Sequence, residues 1–513
     1  MLSPSSAPPR RPADVCLIIE GAYPYVQGGV SSWTHDLIAT QCHLTFHLLV
    51  IVAPNADLTL RYTLPPNVCG LTQVFAGQLP AGQRWLLLPD DFVAKLHRHT
   101  SLLMTRGDAE HLRDLIALLA PFRQRLGARQ LLDSAAAWQA FCALYQSDCS
   151  GASFLNAFWG WRTLVSGLLS AVLMDVPPAR VYHAISTGYA GLLAARATME
   201  AGRPSLVTEH GVYTNERRLE ILAAPWLAVD DSTSVSIDGA LNKVKDLWIN
   251  TFVAYSRACY QSCAHVVTLF EGNHLLQLED GAQRERLCVI PNGISLNKYA
   301  GIVKEPRGGR HGRRRPTIAL VGRVVPIKDI KTYIRACALL VRQVPDVLCY
   351  VLGPKEEEPD YATACEALVA QLGLQETVMF TGMANLLKYL GKIDIVVLTS
   401  ISEAQPLVML EAGAAGVPSV ATDVGACREM VYGRGDEVPR LGCAGRITPI
   451  GNPPATANAI AELLLNEPER KRCGDIMRER VERYYDLSRL HARYAQLYAE
   501  LIAQPDAVAK GMV

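Results

Sequence analysis

The 513-residue chain has no excess of charge of either sign. Its 50 lysines and arginines nearly balance its 49 aspartates and glutamates, so the formal net charge is +1. Proteins that bind nucleic acid usually carry a basic excess, so this balance argues against a nucleic-acid partner. Half of the residues are hydrophobic and 19% are charged. A chain of this length and composition is expected to form two or more domains with large buried sheets.

The sequence also has no apolar run long enough to span a membrane. The longest, Thr163–Met174, has 12 residues, whereas a spanning helix needs about 20. We therefore expect a buried helix here. Contact of this helix with a membrane surface stays open as an alternative, because Phe158, Trp159 and Trp161 precede it and aromatic residues favour membrane interfaces.

Closely grouped metal-ligand or disulfide motifs are missing too. The 14 cysteines are scattered from Cys16 to Cys473, with no C-x-x-C motif and no His/Cys group at the spacing of a zinc site. This pattern indicates the reduced thiols of a cytosolic protein, most of them small apolar core residues. Residues 1–13 are rich in Pro and Ser and lack the apolar core of a signal peptide, so we expect a disordered leader.

What is present is a strand, loop, helix, strand unit at Ile393–Glu429. Ile393–Ser400 is the apolar run expected of a strand buried on both faces. Pro406 suits the first turn of a helix, and Leu407–Ala415 continues with strong helix formers. Ser419–Thr422 then predicts a short second strand. The unit has the alternation typical of an open parallel α/β sheet.

Two carboxylates of this unit are candidate site residues. Glu403 lies in the predicted loop and Glu411 in the predicted helix. Both could face a crevice at the carboxyl ends of parallel strands, where open α/β sheets bind ligands. Taken alone, such a pair is more often two solvated surface charges, because Glu is mostly exposed in proteins.

A second candidate region follows the first predicted strand, Val15–Ile19. Gly28 and Gly29 precede a helix, and strand, glycine loop, helix is an order that aims backbone N–H groups at an anion. The loop is neither a P-loop, because the lysine of that motif is absent, nor a G-x-G-x-x-G motif. An ordinary tight turn therefore stays open as the alternative.

Further along, two strand ends carry polar candidates. Ser205–Thr208 predicts a strand that runs into Glu209 and His210, which places His210 where a strand delivers side chains to a ligand crevice. Asn215, Glu216 and Arg217 are weaker candidates for orienting it. A structural hydrogen-bonding role for His210 is the alternative.

The strand predicted at Thr317–Val321 leads into Arg323 and Lys328, ahead of a helix for which Asp329 is a plausible N-cap. Such a strand-to-helix loop suits a diphosphate, because charge-assisted hydrogen bonds are about twice as strong as neutral ones.

The E-x7-E stretch SEAQPLVMLEAGAAGVPSVATDVG, residues 402–425, resembles the donor-nucleotide signature of glycosyltransferase family 4, the retaining transferases of the GT-B fold. Ala404 and Gln405 stand where a Gly and an aromatic residue are common in that family, which leaves the donor sugar open. The sequence of this stretch is most similar to that of the glycosyltransferases of Pel exopolysaccharide systems. The resemblance covers nearly all of both halves of the chain.

The resemblance implies an α/β fold of two Rossmann-like domains facing a central cleft. It places an N-terminal acceptor domain at 14–300 and a C-terminal donor-nucleotide domain at 317–486. Residues 301–316 form a basic linker, for which contact with anionic lipid is an alternative. The resemblance also implies that residues 487–513 are a helix returning to the N-terminal domain. The sequence about 58–178, with a hairpin-like start and then Leu- and Ala-rich helices, is predicted to be a helical insertion that holds an acceptor site or a partner surface.

The resemblance also implies a role for each candidate. Arg323, Lys328 and the backbone at Gly28 and Gly29 would contact the donor diphosphate. Glu411 would hold the ribose and Glu403 the donor sugar, while His210 would lie near the reacting carbon. The expected partners are a UDP-sugar donor, a polysaccharide acceptor and membrane-embedded synthase proteins that recruit a cytoplasmic enzyme to the inner membrane. No cofactor or metal is expected, because protein cations replace the metal.

Other readings stay open. A sugar-nucleotide epimerase or hydrolase would use the same donor groups. A phosphorylase would need a lysine-bound pyridoxal phosphate, and no sequence feature indicates one. A catalytically idle UDP-binding scaffold of a membrane synthase is the alternative from a different class of protein.

Overall fold

The structure, a computed structural model, describes residues 12–89, 91–150, 152–223, 238–303, 305 and 314–504. Most of the expected leader, most of the expected basic linker and the last nine residues lie outside this part of the chain. Ala13, expected as the last residue of the leader, is the first residue of a strand. The described chain forms two compact units. The first comprises residues up to Thr268, His274–Cys288 and the chain from Tyr494 onward, and the second comprises Leu269–Asn273 and Val289–Arg493.

The first unit is built on a seven-stranded sheet in the order β3-β2-β1-β4-β5-β6-β7. The pairs among its first six strands are parallel. Apolar runs such as Val15–Ile19 form buried strands because helices cover both faces of such a sheet. Its strands are β1 Ala13–Glu20, β2 Phe46–Val52, β3 Val68–Phe75, β4 Ala179–Ala184, β5 Ser205–Glu209, β6 His265–Thr268 and β7 Leu287–Val289.

The helices that accompany this sheet include a group of five, α2–α6, between β3 and β4. In the described part of the chain from Gly29 to Glu279, the α-helices are α1 Gly29–Thr40, α2 Phe92–Arg106, α3 Ala109–Leu119, α4 Ala128–Leu131, α5 Ala135–Asp148, α6 Phe154–Leu173, α7 Tyr189–Ala201, α8 Tyr213–Ala223, α9 Asp238–Ser262 and α10 Asn273–Glu279.

The second unit has a six-stranded parallel sheet in the order β10-β9-β8-β11-β12-β13. Its strands are β8 Thr317–Val321, β9 Leu348–Leu352, β10 Val378–Gly382, β11 Ile395–Leu398, β12 Ser419–Thr422 and β13 Gly445–Thr448. The helices that follow β8 are α11 Ile330–Leu340, α12 Pro359–Gln371, α13 Leu387–Leu390, α14 Leu407–Ala414, α15 Cys427–Tyr432, α16 Pro453–Leu465, α17 Glu467–Tyr484 and α18 Leu487–Ile502.

Both units therefore have the Rossmann-like architecture that the sequence predicts. The helices α2–α6 between β3 and β4 form the helix-rich insertion that was expected in the first unit. The hairpin-like start expected near residue 58 is wrong. β3 pairs in parallel with β2 as a further strand of the main sheet. The strand's β-rich sequence does not reveal its partner, because pairing depends on where the chain returns and not on local pattern.

The helix expected around Thr163–Met174 is α6, and most of its residues from Leu164 to Leu173 are buried in the core of the first unit. Among the described residues, the helices all fall short of the length and apolarity that crossing a membrane demands. All fourteen cysteines are free, and nine of them are buried.

Residues of α18 from Tyr494 onward belong to the first unit. Tyr498 OH lies 2.7 Å from His183 Nδ1, and Tyr494 OH lies 2.9 Å from Thr208 Oγ1. All four residues are buried. These paired polar groups satisfy one another inside a core where unpaired ones would be costly.

Candidate functional site

A short 3-10 turn, Pro326–Lys328, connects β8 to α11 in the second unit. Asp329 has a positive φ of 45° and caps α11, because its side chain accepts a hydrogen bond from the Thr332 N–H at 3.2 Å. The N-cap expected from the sequence is confirmed. The cap fixes the last residues of the turn, and the Lys328 side chain packs over Gly322 at the end of β8.

Lys328 forms an ion pair with Glu403, which lies in the loop after β11. The Ser400 hydroxyl donates a hydrogen bond of 2.6 Å to the same Glu403 Oε1. The Lys328 side chain is 21% exposed and that of Glu403 is 13% exposed. The pair is therefore mostly withdrawn from water, where opposite charges attract more strongly than on the open surface.

The sheet order explains why two residues 75 positions apart meet. β8 and β11 are neighbours in the sheet, although β9 and β10 come between them in sequence. β9 and β10 extend the sheet on the side of β8, and β12 and β13 extend it on the side of β11. The boundary between β8 and β11 is therefore the topological switch point of the sheet. Open α/β sheets bind ligands at that point, outside the carboxyl ends of the strands.

Backbone contacts hold the loop that carries Glu403. Gly425 has a φ of 50°, and a Cβ there would lie 2.2 Å from the Glu403 carbonyl oxygen. The next N–H, of Ala426, donates to the Ala404 carbonyl at 2.8 Å. Glycine is required because the two backbone segments touch at this position.

Glu411 lies on α14 and accepts a 2.9 Å hydrogen bond from the Tyr299 hydroxyl. Burial and the neighbouring Glu411 carboxylate both raise the pKa of Tyr299, so the phenol stays a donor. Tyr299, which precedes the sheet of the second unit in the sequence, therefore orients Glu411. No sequence pattern indicated that these two residues meet.

Arg323 pairs elsewhere. Its guanidinium lies 2.5 and 2.8 Å from the two carboxylate oxygens of Glu357, and both side chains are about half exposed. The structure therefore brings Lys328 and Glu403 together, but it places Arg323 in an exposed ion pair after β9. An exposed pair of this kind contributes little to stability and can exchange partners easily.

The glycine loop of the first unit leaves space at the start of α1. Gly28 is the N-cap and Gly29 the first helical residue, and both are exposed. A Cβ added at either glycine would meet nothing within 4 Å. The first-turn N–H groups of a helix without a capping side chain can donate hydrogen bonds to an anionic ligand.

His210 follows β5 and packs against Trp33 in a T-shaped arrangement, with ring centroids 4.6 Å apart. Burial lowers the pKa of His210 to about 4, so the imidazole is neutral at neutral pH. Within the described chain its Nε2 has no hydrogen-bond partner. A neutral imidazole with a free ring nitrogen can donate to or accept from a ligand hydroxyl, but it cannot supply positive charge.

The sequence reasoning missed Glu20 as a site residue. This carboxylate ends β1 and accepts hydrogen bonds from the Tyr189 N–H at 3.1 Å and the Tyr213 hydroxyl at 2.9 Å. Arg217, one of the weaker candidates, lies 3.6 Å from it. Burial raises the pKa of Glu20, although Arg217 and these hydrogen bonds oppose that effect. Its position at the end of the first strand was the available signal.

Glu20 and Arg217 line a cavity of about 350 Å³ in the first unit. β1 and β4 are neighbours at the switch point of this sheet, so the cavity lies where such sheets bind ligands. Aromatic rings and a helix of the insertion complete the wall of the cavity. The other residues that line it are Ala76, Gly77, Thr163, Gly167, Tyr189, Glu220, Ile221, Trp248 and Phe252.

Comparisons with solved structures show the fold. Sucrose-phosphate synthase from Thermosynechococcus elongatus superposes with a TM-score of 0.56 at 16% identity, covering 96% of this chain and 99% of that one. Anabaena Alr3699/HepE, solved in complex with UDP and glucose, superposes with a TM-score of 0.55 at 14% identity, covering 95% and 99%. The architecture is that of GT-B glycosyltransferases.

Among curated proteins, the D-inositol 3-phosphate glycosyltransferase of Nocardia farcinica is 31% identical over 217 residues. That alignment covers 40% of this chain and 46% of the relative, so the chain spans about half the length of this relative. Two family models match the chain. "Glycosyl transferases group 1" matches residues 304–480, and "Domain of unknown function (DUF3492)" matches residues 13–285. Since the second match covers more than half of the sequence, the chain belongs to the DUF3492 family, here joined to a glycosyl transferases group 1 domain.

Proposed function

We propose that the protein is a retaining hexosyltransferase that moves a sugar from a UDP-sugar to a growing polysaccharide of the Pel type. The observation that carries this proposal is the Lys328–Glu403 pair at the switch point of the second sheet. This pair lies within the residues matched by the group 1 glycosyl transferase model. The UDP complex of a protein with the same fold supports the choice of nucleotide.

In the proposed reaction, the bond between the anomeric carbon and the UDP oxygen breaks, and its electron pair stays on the diphosphate. Lys328 stabilises the negative charge that develops there. Arg323 breaks its ion pair with Glu357 and brings its own positive charge to the diphosphate. Fixed charges aimed at developing charge usually supply the largest catalytic effect. The two cations take the place that a divalent metal holds in other nucleotide-sugar sites, so the proposal needs no metal or cofactor.

Glu403 holds hydroxyls of the donor sugar and stabilises its cationic anomeric carbon, while Glu411 binds the ribose hydroxyls. An acceptor hydroxyl attacks on the face that the diphosphate leaves, and the departing phosphate takes the acceptor proton. The configuration is therefore retained without a dedicated protein base. The N–H groups at Gly28 and Gly29 and the neutral His210 are proposed to contact the diphosphate and the transferred sugar.

The nucleotide site is tested by titrating the full chain with UDP, GDP and ADP in a chelator-containing buffer. UDP is expected to bind best. Glu411→Ala should weaken UDP binding about 10–100-fold, because a hydrogen bond to a charged group contributes about 1.5–3 kcal/mol. The matched control is Glu366→Ala, which removes an exposed carboxylate of the same unit that pairs with Lys355.

If no nucleotide binds, or if Glu411→Ala binds UDP as tightly as the parent, the donor site is wrongly assigned. A third outcome separates the alternatives. UDP binding without transfer from UDP-glucose or UDP-N-acetylhexosamines to saccharide acceptors would favour the idle scaffold of a synthase complex.

We further propose that the 350 Å³ cavity of the first unit binds the acceptor saccharide. Trp248 and Phe252 offer aromatic faces, and Glu20 with Arg217 offers hydrogen-bonding groups at the same wall. Saccharide rings combine apolar C–H faces with hydroxyl edges, so this mixture of surfaces suits them. The helix α6 supplies Thr163 and Gly167 to the wall, which gives the insertion a direct part in acceptor binding.

Arg217→Met is expected to raise the KM for the acceptor about tenfold and to leave UDP affinity unchanged, because one charge-assisted hydrogen bond is lost. Steady-state transfer kinetics with varied acceptor measure this effect. The matched control is Arg218→Met, since Arg218 is exposed and does not line the cavity. An unchanged acceptor KM in Arg217→Met would remove the cavity from the proposal.

The proposed setting is the cytoplasm, with recruitment to the inner membrane by membrane-embedded synthase proteins. Exposed apolar side chains on α5 and α6, Trp138, Phe154, Leu155 and Trp159, support a protein partner at the insertion, because clustered exposed apolar groups often mark interaction surfaces.

A further inference from the structure

A cluster of potential metal ligands lies in the helical insertion of the first unit. His99 is on α2, and His111 and Asp114 are on α3. The two helices are joined only by Gly107 and Asp108. One turn separates His111 from Asp114 on α3, so both residues present their side chains on the same face of that helix.

The three side chains converge. One ligand atom from each residue lies within 4.8 Å of the other two. His99 Nδ1 is 3.5 Å from Asp114 Oδ2, which is long for a hydrogen bond between a ring nitrogen and a carboxylate. The spacing is wider than the contacts of a closed hydrogen-bonded triad, and side-chain adjustments of the order of 1 Å would bring the three atoms to coordinating distance.

Two of the converging residues have buried ring nitrogens without a hydrogen bond. Within the described chain, neither His99 Nδ1 nor His111 Nδ1 has a hydrogen-bond partner, and both atoms are shielded from solvent. Leaving such a group unsatisfied costs about 1–3 kcal/mol. A cation bound between the two rings and the carboxylate would satisfy both nitrogens at once.

We propose that His99, His111 and Asp114 bind one divalent cation of the zinc class, with a water molecule in the fourth position. Imidazole nitrogens suit zinc and its transition-metal neighbours, whereas magnesium and calcium prefer all-oxygen sites. Two histidines and one carboxylate form a common set of three protein ligands for zinc. The sequence did not indicate this site, because its ligands are split between two helices and lack a compact spacing.

The site stabilises the α2–α3 hairpin. The turn of the hairpin is already attached to α9, because Arg257 donates to the Arg106 carbonyl at 2.7 Å and the Ala109 N–H donates to Gln261 Oε1 at 2.8 Å. A metal at His99 and Asp114 joins the same two helices about two turns away from that attachment. It therefore acts on the insertion and is independent of the proposed transfer chemistry.

The experiment is a titration of the chelator-treated full chain with zinc, followed by calorimetry. One equivalent is expected to bind to the parent. His99→Ala and Asp114→Asn are expected to lower zinc affinity by about 100-fold or more, since even changes to residues that only support metal ligands cost 10–100-fold. The matched control is His43→Ala, whose exposed histidine lies outside the cluster, and circular dichroism verifies that each variant is folded.

Cobalt(II) serves as a spectroscopic probe of the same position, because the free cysteines of the chain could also bind metal. Nitrogen and oxygen ligation without a thiolate-to-cobalt charge-transfer band is expected, and the visible spectrum should disappear in His111→Ala. Absence of zinc binding in the parent, thiolate ligation of the bound cobalt, or unchanged zinc affinity in folded His99→Ala and Asp114→Asn would each overturn the proposal.

Discussion

Replacing Lys328 by alanine should lower kcat/KM for sugar transfer by about 10²–10³-fold, the loss typical when one group that stabilises a developing negative charge is removed. Lys328 is the cation held at the switch point of the second sheet, and its side chain is only 21% exposed. Solvent replaces its charge poorly because the position is partly withdrawn from water. Steady-state transfer from a UDP-sugar measures the effect.

The matched control for Lys328→Ala is Lys355→Ala. Lys355 also forms an ion pair in the second unit, with Glu366, but the two side chains are 44% and 45% exposed. Its removal is expected to leave transfer within twofold of the parent. Equal losses in the two variants, or full activity in Lys328→Ala, would contradict the proposed role. Glu403→Gln should lose activity as well, and the double variant should lose less than the product of the two single losses because the groups are in direct contact.

Replacing Arg480 by leucine should lower the free energy of unfolding of the second unit by about 3–5 kcal/mol, the cost typical of breaking a buried ion pair. Arg480 donates to both carboxylate oxygens of Glu437 at 2.6 and 3.0 Å, and both side chains are 0% exposed. The guanidinium also donates to the carbonyls of Met430, Val431 and Gly442. Leucine leaves a buried carboxylate and three carbonyls without these donors.

Urea unfolding followed by fluorescence and circular dichroism measures this loss. Arg483→Leu is the matched control on the same helix, because its ion pair with Glu479 is about half exposed. Exposed pairs contribute about 0–1 kcal/mol, so the control should unfold close to the parent. A loss below 1 kcal/mol in Arg480→Leu would show that the buried pair is not a major source of stability.

The same ion pair predicts a dependence of stability on pH. Burial raises the pKa of Glu437, but its hydrogen bonds from Arg480 and the Leu441 N–H outweigh this effect, and the pKa in the folded protein is lowered from 4.5. The unfolded state therefore binds the proton first as the pH falls. The contribution of Glu437 to stability is complete above about pH 4.5 and is lost as the pH falls through the lower pKa of the folded state. Urea midpoints between pH 7 and pH 3 measure this loss, which should be smaller in Arg480→Leu.

Much of the candidate site could be placed by sequence on its correct local element. Apolar runs predicted β8, β11 and β12, and the polar residues after them fell on the loops where Lys328 and Glu403 lie. Asp329 was predicted as an N-cap and caps α11. These features depend on a few consecutive residues, so local propensity and strand burial are enough to predict them.

The pairing of charges could not be predicted in this way. Arg323 and Lys328 are five residues apart and were placed together, yet one pairs with Glu357 and the other with Glu403. The partners lie 34 and 75 residues away along the chain. Which of them is close enough to form an ion pair depends on the order of strands in the sheet.

By itself, the sequence determined the alternation of strands and helices in both units, the resemblance to glycosyltransferases and the local element, loop or helix, on which candidates such as Glu403 and Glu411 lie. Only the tertiary structure decided that Lys328 contacts Glu403, that Glu20 faces a cavity walled partly by the insertion, and that His99, His111 and Asp114 converge. The physical reason is the range of the forces involved. Backbone propensity and hydrophobic periodicity act over a few residues, whereas an ion pair, a cavity or a set of metal ligands requires groups brought within a few ångströms by the packing of distant segments.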